Sequence, residues 1–170
     1  MIKYPAYVTY VRASELVSES NVKIGIASDH GGYRLKEAIK RHFGALEFDD
    51  AGTFSEDSCD YPDYVAALCR NIQNGAIESG IVICGTGIGA SITANKMKGI
   101  RAALCCNEFM AEMSKRHNDA NVLALGARVI GDELAFRIVD RWLNATFEGG
   151  RHRKRLDKIE ELEKARWEKR

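Results

Sequence analysis

The chain has 170 residues, 45% apolar and 29% charged, with a formal net charge of +1. That length suits one compact domain with a sizeable core, and so small a charge excludes a general pull toward nucleic acid or a membrane surface. The cysteines (Cys59, Cys69, Cys84, Cys105 and Cys106) are odd in number and form no C-x-x-C pair, so neither a disulfide framework nor a zinc site is expected.

A reducing compartment, the cytoplasm, fits that cysteine usage. The sequence holds no run of about 18 apolar residues, the signal of a membrane-spanning helix. The first 20 residues lack the basic start and apolar stretch of a secretory signal. Residues 1–20 are read as an N-terminal extension, 21–150 as an α/β domain and 151–170 as a C-terminal helix.

From Val22 onward, short apolar runs alternate with amphipathic stretches. Strands are predicted at 22–28, 45–49, 80–84, 101–105 and 122–126. They are often apolar on both faces, as in a parallel sheet covered by helices. After the first strand, Leu35, Ala38, Ile39, His42 and Phe43 share one helical face. After the second, Val65, Leu68, Cys69 and Ile72 do so, with Pro62 near the helix start. After the fifth, Leu134, Ala135, Ile138, Val139, Trp142 and Leu143 form the clearest stripe. Five strand–helix units predict a three-layer α/β/α, Rossmann-like open parallel sheet. In the closing segment Leu156, Ile159 and Leu162 form a narrow apolar seam, suited to packing on its own domain or on a partner subunit.

In open α/β sheets, ligands bind beyond the carboxyl ends of the strands. The first strand ends in Ser28-Asp29-His30-Gly31-Gly32. Asp29 could merely cap the next helix, and His30 could be an ordinary surface residue. The third strand ends in Cys84-Gly85-Thr86-Gly87-Ile88-Gly89-Ala90-Ser91. Three glycines in five residues let several backbone amides face one anion or a developing oxyanion. A cysteine at the mouth of such a loop is either inert packing or a thiol drawn toward its reactive thiolate. Gly85-x-Gly87-x-x-Ala90, with Glu108 further on, also satisfies a relaxed dinucleotide fingerprint. That motif normally opens a domain, whereas here it follows the third strand. Arg116-His117-Asn118-Asp119 closes the fourth helix, where cations also serve as caps. Arg151-His152-Arg153-Lys154-Arg155 reads as a solvated charge run. If helical, it places Arg151 and Arg155 on one face, suited to clamping a phosphate.

Together these stretches resemble the type B ribose-5-phosphate isomerase family, which also includes galactose- and allose-6-phosphate isomerases. The resemblance rests on SDHGGYRLK, SCDYPDYV, GIVICGTGIGASITANKMKGIRAA, RHNDANVLALGARVIG and FEGGRHRKR, and covers residues 22 to about 160. It implies that Cys84 is the base moving a proton between C1 and C2, and that His117 opens the sugar ring. It implies substrate binding by Asp29 and His30. The loop Gly85, Thr86, Gly87, Ile88 and Gly89 would hold the enediolate oxygen. Asn118, Arg128, Arg151 and Arg155 match substrate and phosphate positions. Where some members carry a glutamate base in the loop, this chain has Ile88, so it resembles the cysteine branch.

The expected activity is interconversion of ribose 5-phosphate and ribulose 5-phosphate, the non-oxidative pentose phosphate chemistry, with no cofactor and no metal. A hexose 6-phosphate isomerase on the same scaffold is the nearest alternative. A non-catalytic sugar-phosphate or nucleotide-binding module is a further one. No Cys–His–Asn spacing of a thiol hydrolase is present. Asp29 and Cys84 end strands, whereas His117 ends a helix returning toward the fifth strand. His117 is thus expected on the opposite rim of its own subunit. This predicts a homodimer, or a dimer of dimers, with sites shared between subunits and a small sugar phosphate as ligand. Neither nucleic acid nor membrane is an expected partner.

Overall fold

The computed structural model describes residues 23–167. Residues 1–20, read above as an extension, lie outside the described residues. Five strands, β1 (Ile24–Ser28), β2 (Phe48–Asp50), β3 (Ser79–Cys84), β4 (Ala102–Leu104) and β5 (Val122–Gly126), form one sheet in the order β2-β1-β3-β5-β4. All its pairings are parallel. The helices are α1 (Tyr33–His42), α2 (Tyr61–Gln73), α3 (Ile88–Ala94), α4 (Glu108–Asn118), α5 (Asp132–Leu143) and α6 (Arg153–Trp167).

Strand alternation builds two cores. On one face Ile24, Ile26, Ile81, Ile83, Leu123 and Leu125 meet Leu35 and Ile39 of α1, Ala111 of α4, and Ala135, Ile138 and Trp142 of α5. On the other, Ala27, Val82, Cys84, Val122 and Ala124 meet Val65 and Leu68 of α2 and Ala90 and Ala94 of α3. The result is the expected three-layer α/β/α sheet.

The differences lie at the edges. The predicted strand 45–49 is observed as Phe48–Asp50, and 101–105 as Ala102–Leu104. Both are edge strands whose residues are only half-buried, so their apolar pattern is weak. His42, expected on the buried face of α1, is exposed and stacks on Phe136, with centroids 4.0 Å apart. The last helix begins at Arg153 rather than Arg151. Its apolar seam is buried only at Leu156 (1% exposed); Ile159 and Leu162 are 48% and 74% exposed.

One buried cation fixes the end of β1. Lys36 of α1 is fully buried. Its Nζ donates to Asp50 Oδ1 (2.6 Å), Asp50 Oδ2 (2.8 Å) and the Thr53 carbonyl (2.7 Å). Lys40 Nζ also reaches Asp50, at 2.6 Å. The anchored loop then pairs with the end of β1. Ser28 N–H donates to the Gly52 carbonyl (2.7 Å), and Thr53 N–H donates to the Ser28 carbonyl (2.8 Å). Burial pushes the Asp50 carboxyl upward, but hydrogen bonds from Lys36, Lys40 and the Gly52 amide outweigh it. The net effect holds Asp50 below the usual carboxylate range.

A lowered folded pKa stabilises the protein above the unfolded value, at about pH 4, and that contribution is lost as pH falls through the folded value. Asp50→Asn leaves buried Lys36 with only the more distant Glu37 carboxylate, at 3.6 Å, and should cost about 3 kcal/mol. Lys36→Met leaves Asp50 still paired with Lys40 and should cost less. Denaturant unfolding of the three proteins at pH 7 checks the order, and repeating it toward pH 3 should narrow the gap between parent and Asp50→Asn.

Candidate active site

The strand order reverses between β1 and β3, which makes the carboxyl ends of these strands the topological switch point. Asp29 follows β1 and Cys84 ends β3, and the Asp29 N–H donates to the Ile83 carbonyl at 3.2 Å. Asp29 is 7% exposed, and its Oδ1 accepts the Gly32 N–H at 3.0 Å, closing the turn into α1. The residue capping α1 is Gly32, so Asp29 shapes the turn before the helix. His30 is half-buried and anchored through Nδ1, which lies 3.2 Å from the Cys59 nitrogen and 3.1 Å from its carbonyl oxygen. The tautomer decides which contact is the hydrogen bond.

Cys84 is 4% exposed. Its side chain lies on the α2–α3 side of the sheet, beneath the glycine loop, and its Sγ accepts the Gly87 N–H at 3.2 Å. Gly87 has φ +77°, and a side chain there would meet the Leu125 carbonyl carbon at 2.9 Å. Positive φ and backbone contact together demand glycine. Thr86 Oγ1 accepts the Ile88 N–H at 3.4 Å, and Ile88 and Gly89 open α3. Burial pushes the Cys69 and Cys105 thiols up to about 11, which suits inert packing.

Arg128 belongs to the same rim. Its N–H donates to the Gly85 carbonyl at 2.9 Å. Its guanidinium passes close enough that a Cβ on Gly85 would lie 3.5 Å from Cζ, and one on Gly31 would lie 3.6 Å from Nη2. One cationic side chain therefore spans the ends of β1 and β3. Tyr61, at the start of α2, was not singled out from the sequence. It lies against Gly89 so closely that a Cβ there would meet its hydroxyl at 2.7 Å. Its sequence signals were the third glycine of the loop and its place in the SCDYPDYV stretch.

The remaining residues gather at the other rim. The His117 and Asn118 positions close α4, near the amino ends of β4 and β5. Arg101, just before β4, donates to the carbonyls of Asn118 (3.1 Å) and Asp119 (2.9 Å). Along β5 the two rims are about 13 Å apart. His117 stacks on His152, with centroids 4.2 Å apart and planes 6° from parallel. Glu148 Oε2 lies 3.9 Å from His117 Nε2 and 3.5 Å from His152 Nε2. Arg116 holds the same carboxylate through Oε1 at 2.6 Å and keeps it below the usual carboxylate range. Arg151 and Arg155 are exposed beside this cluster. Arg151 sits in the turn before α6 and Arg155 in its first turn, so the pair shares a neighbourhood without sharing a helix.

The structure thus brings together Asp29, His30, Gly85–Gly89, Cys84 and Arg128 on one rim. It brings together His117, Asn118, Arg151 and Arg155 on the other. An open parallel α/β sheet with an anion-suited glycine loop at its switch point defines a class of small-ligand enzymes and binding proteins. Comparison with known proteins narrows that class. Residues 24–159 match the Ribose/Galactose Isomerase family model. Ribose-5-phosphate isomerase B of Escherichia coli is 47% identical over 85% of this chain and 98% of that protein. The structure of ribose-5-phosphate isomerase B of Clostridium thermocellum superposes with a TM-score of 0.83, at 54% identity over 85% of this chain and 99% of the other. That of Mycoplasma genitalium, with bound ribulose 5-phosphate, gives 0.79 at 41% identity over 84% and 97%. The chain belongs to the Ribose/Galactose Isomerase family.

Gly87→Ala forces a left-handed backbone on a side-chain-bearing residue and presses it onto β5. A loss of about 1–3 kcal/mol is expected, read as a lower midpoint in chemical denaturation.

Proposed function

We propose that this chain interconverts ribose 5-phosphate and ribulose 5-phosphate, with Cys84 as base and no metal in the reaction. The observation that carries this reading is the Cys84 sulfur, 3.2 Å from the Gly87 amide at the sheet's switch point. The names of the relatives above support the choice of a five-carbon substrate.

The closed sugar must open before its C2 proton becomes acidic. His117 passes a proton between the anomeric hydroxyl and the ring oxygen, as an imidazole can near neutral pH. Cys84, as thiolate, removes the C2 proton of the open aldose, leaving an enediolate. The loop amides stabilise the charge on its oxygen, worth roughly 3–4 kcal/mol per well-placed donor in other enzymes. A proton moves from O2 to O1, and Cys84 returns its proton at C1. Asp29 and Asn118 hold sugar hydroxyls. His30, Arg128, Arg151 and Arg155 hold the phosphate, which positions the sugar without reacting.

Because the two rims lie on opposite sides of one sheet, we assign each site to two subunits. Cys84 and its loop come from one, and His117, Arg151 and Arg155 from the other. The C-terminal helix thereby completes the partner's site. Exposed apolar side chains support such pairing: Ile88 and Ile92 on α3 beside the loop, and Ile159 and Leu162 on α6. The absence of cysteine pairing fits work in the cytoplasm. Among the described residues, no helix is long and apolar enough to cross a membrane.

A coupled assay should show turnover of ribose 5-phosphate well above that of allose 6-phosphate or galactose 6-phosphate; the reverse order removes the pentose assignment. Cys84→Ala should fold normally yet lose exchange of the C2 hydrogen with solvent by at least 1,000-fold, and exchange near the parent rate refutes the cysteine base. Mixing inactive Cys84→Ala and His117→Ala proteins should restore roughly a quarter of the activity through mixed dimers. No recovery after verified subunit exchange would exclude shared sites.

A further inference from the structure

His152 and Glu148 have no part in the reaction as described, yet both face the proposed ring-opening group. His152 lies inside a run of arginines and lysine but is only 3% exposed. Its Nδ1 is buried without a hydrogen-bond partner. Its ring covers one face of the His117 imidazole at 4.2 Å. Glu148 is placed with equal care. Its backbone N–H donates to the Arg116 carbonyl at 3.0 Å, and its Oε1 is held by the Arg116 side chain. Oε2 is thereby turned toward both imidazoles.

The donor atoms of His117, Glu148 and His152 all lie within 4.8 Å of one another. A metal ion bound by both imidazoles would need their lone pairs to converge about 2 Å from each nitrogen. Rings 6° from parallel aim those lone pairs along parallel planes instead. The arrangement disfavours one cation held by both rings and leaves each imidazole to take or lose its proton separately.

We propose that Glu148 and His152 are positioning residues for His117, the carboxylate favouring its protonated form and the stacked ring fixing its plane. This rests on the ring-opening role given to His117 above. The physical argument concerns where a proton can settle. Two imidazoles in contact cannot readily both be charged, because the cations repel. Burial, reinforced by His117 and Arg151, lowers the His152 pKa and so disfavours a proton on that ring. The more exposed His117 is the ring left open to exchange protons with the sugar, with Glu148 Oε2 3.9 Å from its Nε2. Arg116, on the same helix as His117, is itself engaged by Glu112 (2.6 Å) and Glu148. Arg151 and Arg155 are the other cations facing the pair, and both oppose a second proton on it. The Arg151 Nε also donates to His152 Nε2 at 3.4 Å, a long contact that links the proposed phosphate clamp to the stack.

The test uses the full-length protein with histidine Cε1–H resonances followed by NMR. In Glu148→Gln the His117 titration midpoint should fall by at least half a pH unit, and the His117-dependent limb of kcat/KM for ribose 5-phosphate should fall with it. An unchanged midpoint overturns the proposal. His152→Ala should lower kcat for ribose 5-phosphate at least tenfold with KM within about threefold, and His152→Phe, which keeps a stacked ring, should restore most of that loss. Equal loss in both variants overturns the stacking role. With 4-deoxyribose 5-phosphate, which lacks the O4 needed to close a ring, none of these changes should appear. If His117→Ala turns over ribose 5-phosphate at the parent rate while the Glu148→Gln shift persists, the ring-opening reading fails and the Glu148–His117 link stands.

Discussion

Every strand of the sheet runs in the same direction, so each helix between two strands must carry the chain back from the carboxyl rim to the amino rim. That constraint governs the placement of every candidate functional residue. A side chain just after a strand, such as Asp29 or Cys84, stands on one rim. A side chain at the end of a returning helix, such as His117, stands on the other. Five-residue strands are too long for the two groups to meet around one subunit. A reaction needing both Cys84 and His117 therefore favours pairing two copies over bending one.

Each rim is held by an ion pair that acts through the backbone. At the carboxyl rim, Lys36 and Asp50 fix the segment around Gly52 and Thr53, which hydrogen-bonds both the N–H and the carbonyl of Ser28. Asp29 is the next residue, so the anchoring passes directly into the turn at the switch point. At the amino rim, Arg116 grips Glu148 by side chain and by carbonyl, tying the last turn of α4 to the segment before α6. Removal of either carboxylate would disturb more than one contact, because each pairing also sets a backbone hydrogen bond.

Much of this was legible in the sequence. The three central strands are buried and nearly continuous in apolar residues, and they are observed within a residue or two of where they were read. The glycine loop was legible because three glycines after a buried strand have few other physical uses. The edge strands were not, since Phe48–Asp50 and Ala102–Leu104 are too short and too exposed to show a period. Arg151 and Arg155 were read as one helical face, but Gly149 and Gly150, with φ +66° and +53°, carry the turn further and delay the helix to Arg153. His152 was hidden by its neighbours. In a run of cations nothing marks the one residue that turns inward, and its companion Leu156, four positions on, shows the buried side only in retrospect. Glu148 lay within the quoted FEGGRHRKR stretch, but its role gave no signal, because its partners Arg116 and His117 lie some thirty residues earlier in the chain.

The two proposed proton-transfer groups also differ in hydration, in a way that suits their tasks. A carbon acid gives up its proton slowly, and the resulting enediolate is best stabilised by fixed amides from which water is excluded. Cys84, 4% exposed beneath the glycine loop, has that setting. Ring opening exchanges protons between oxygens and ends with the catalyst back in its starting state, so contact with solvent does it no harm. Within one chain the His117 side chain, 36% exposed and flanked by Glu148 at 35%, is the wetter of the two groups.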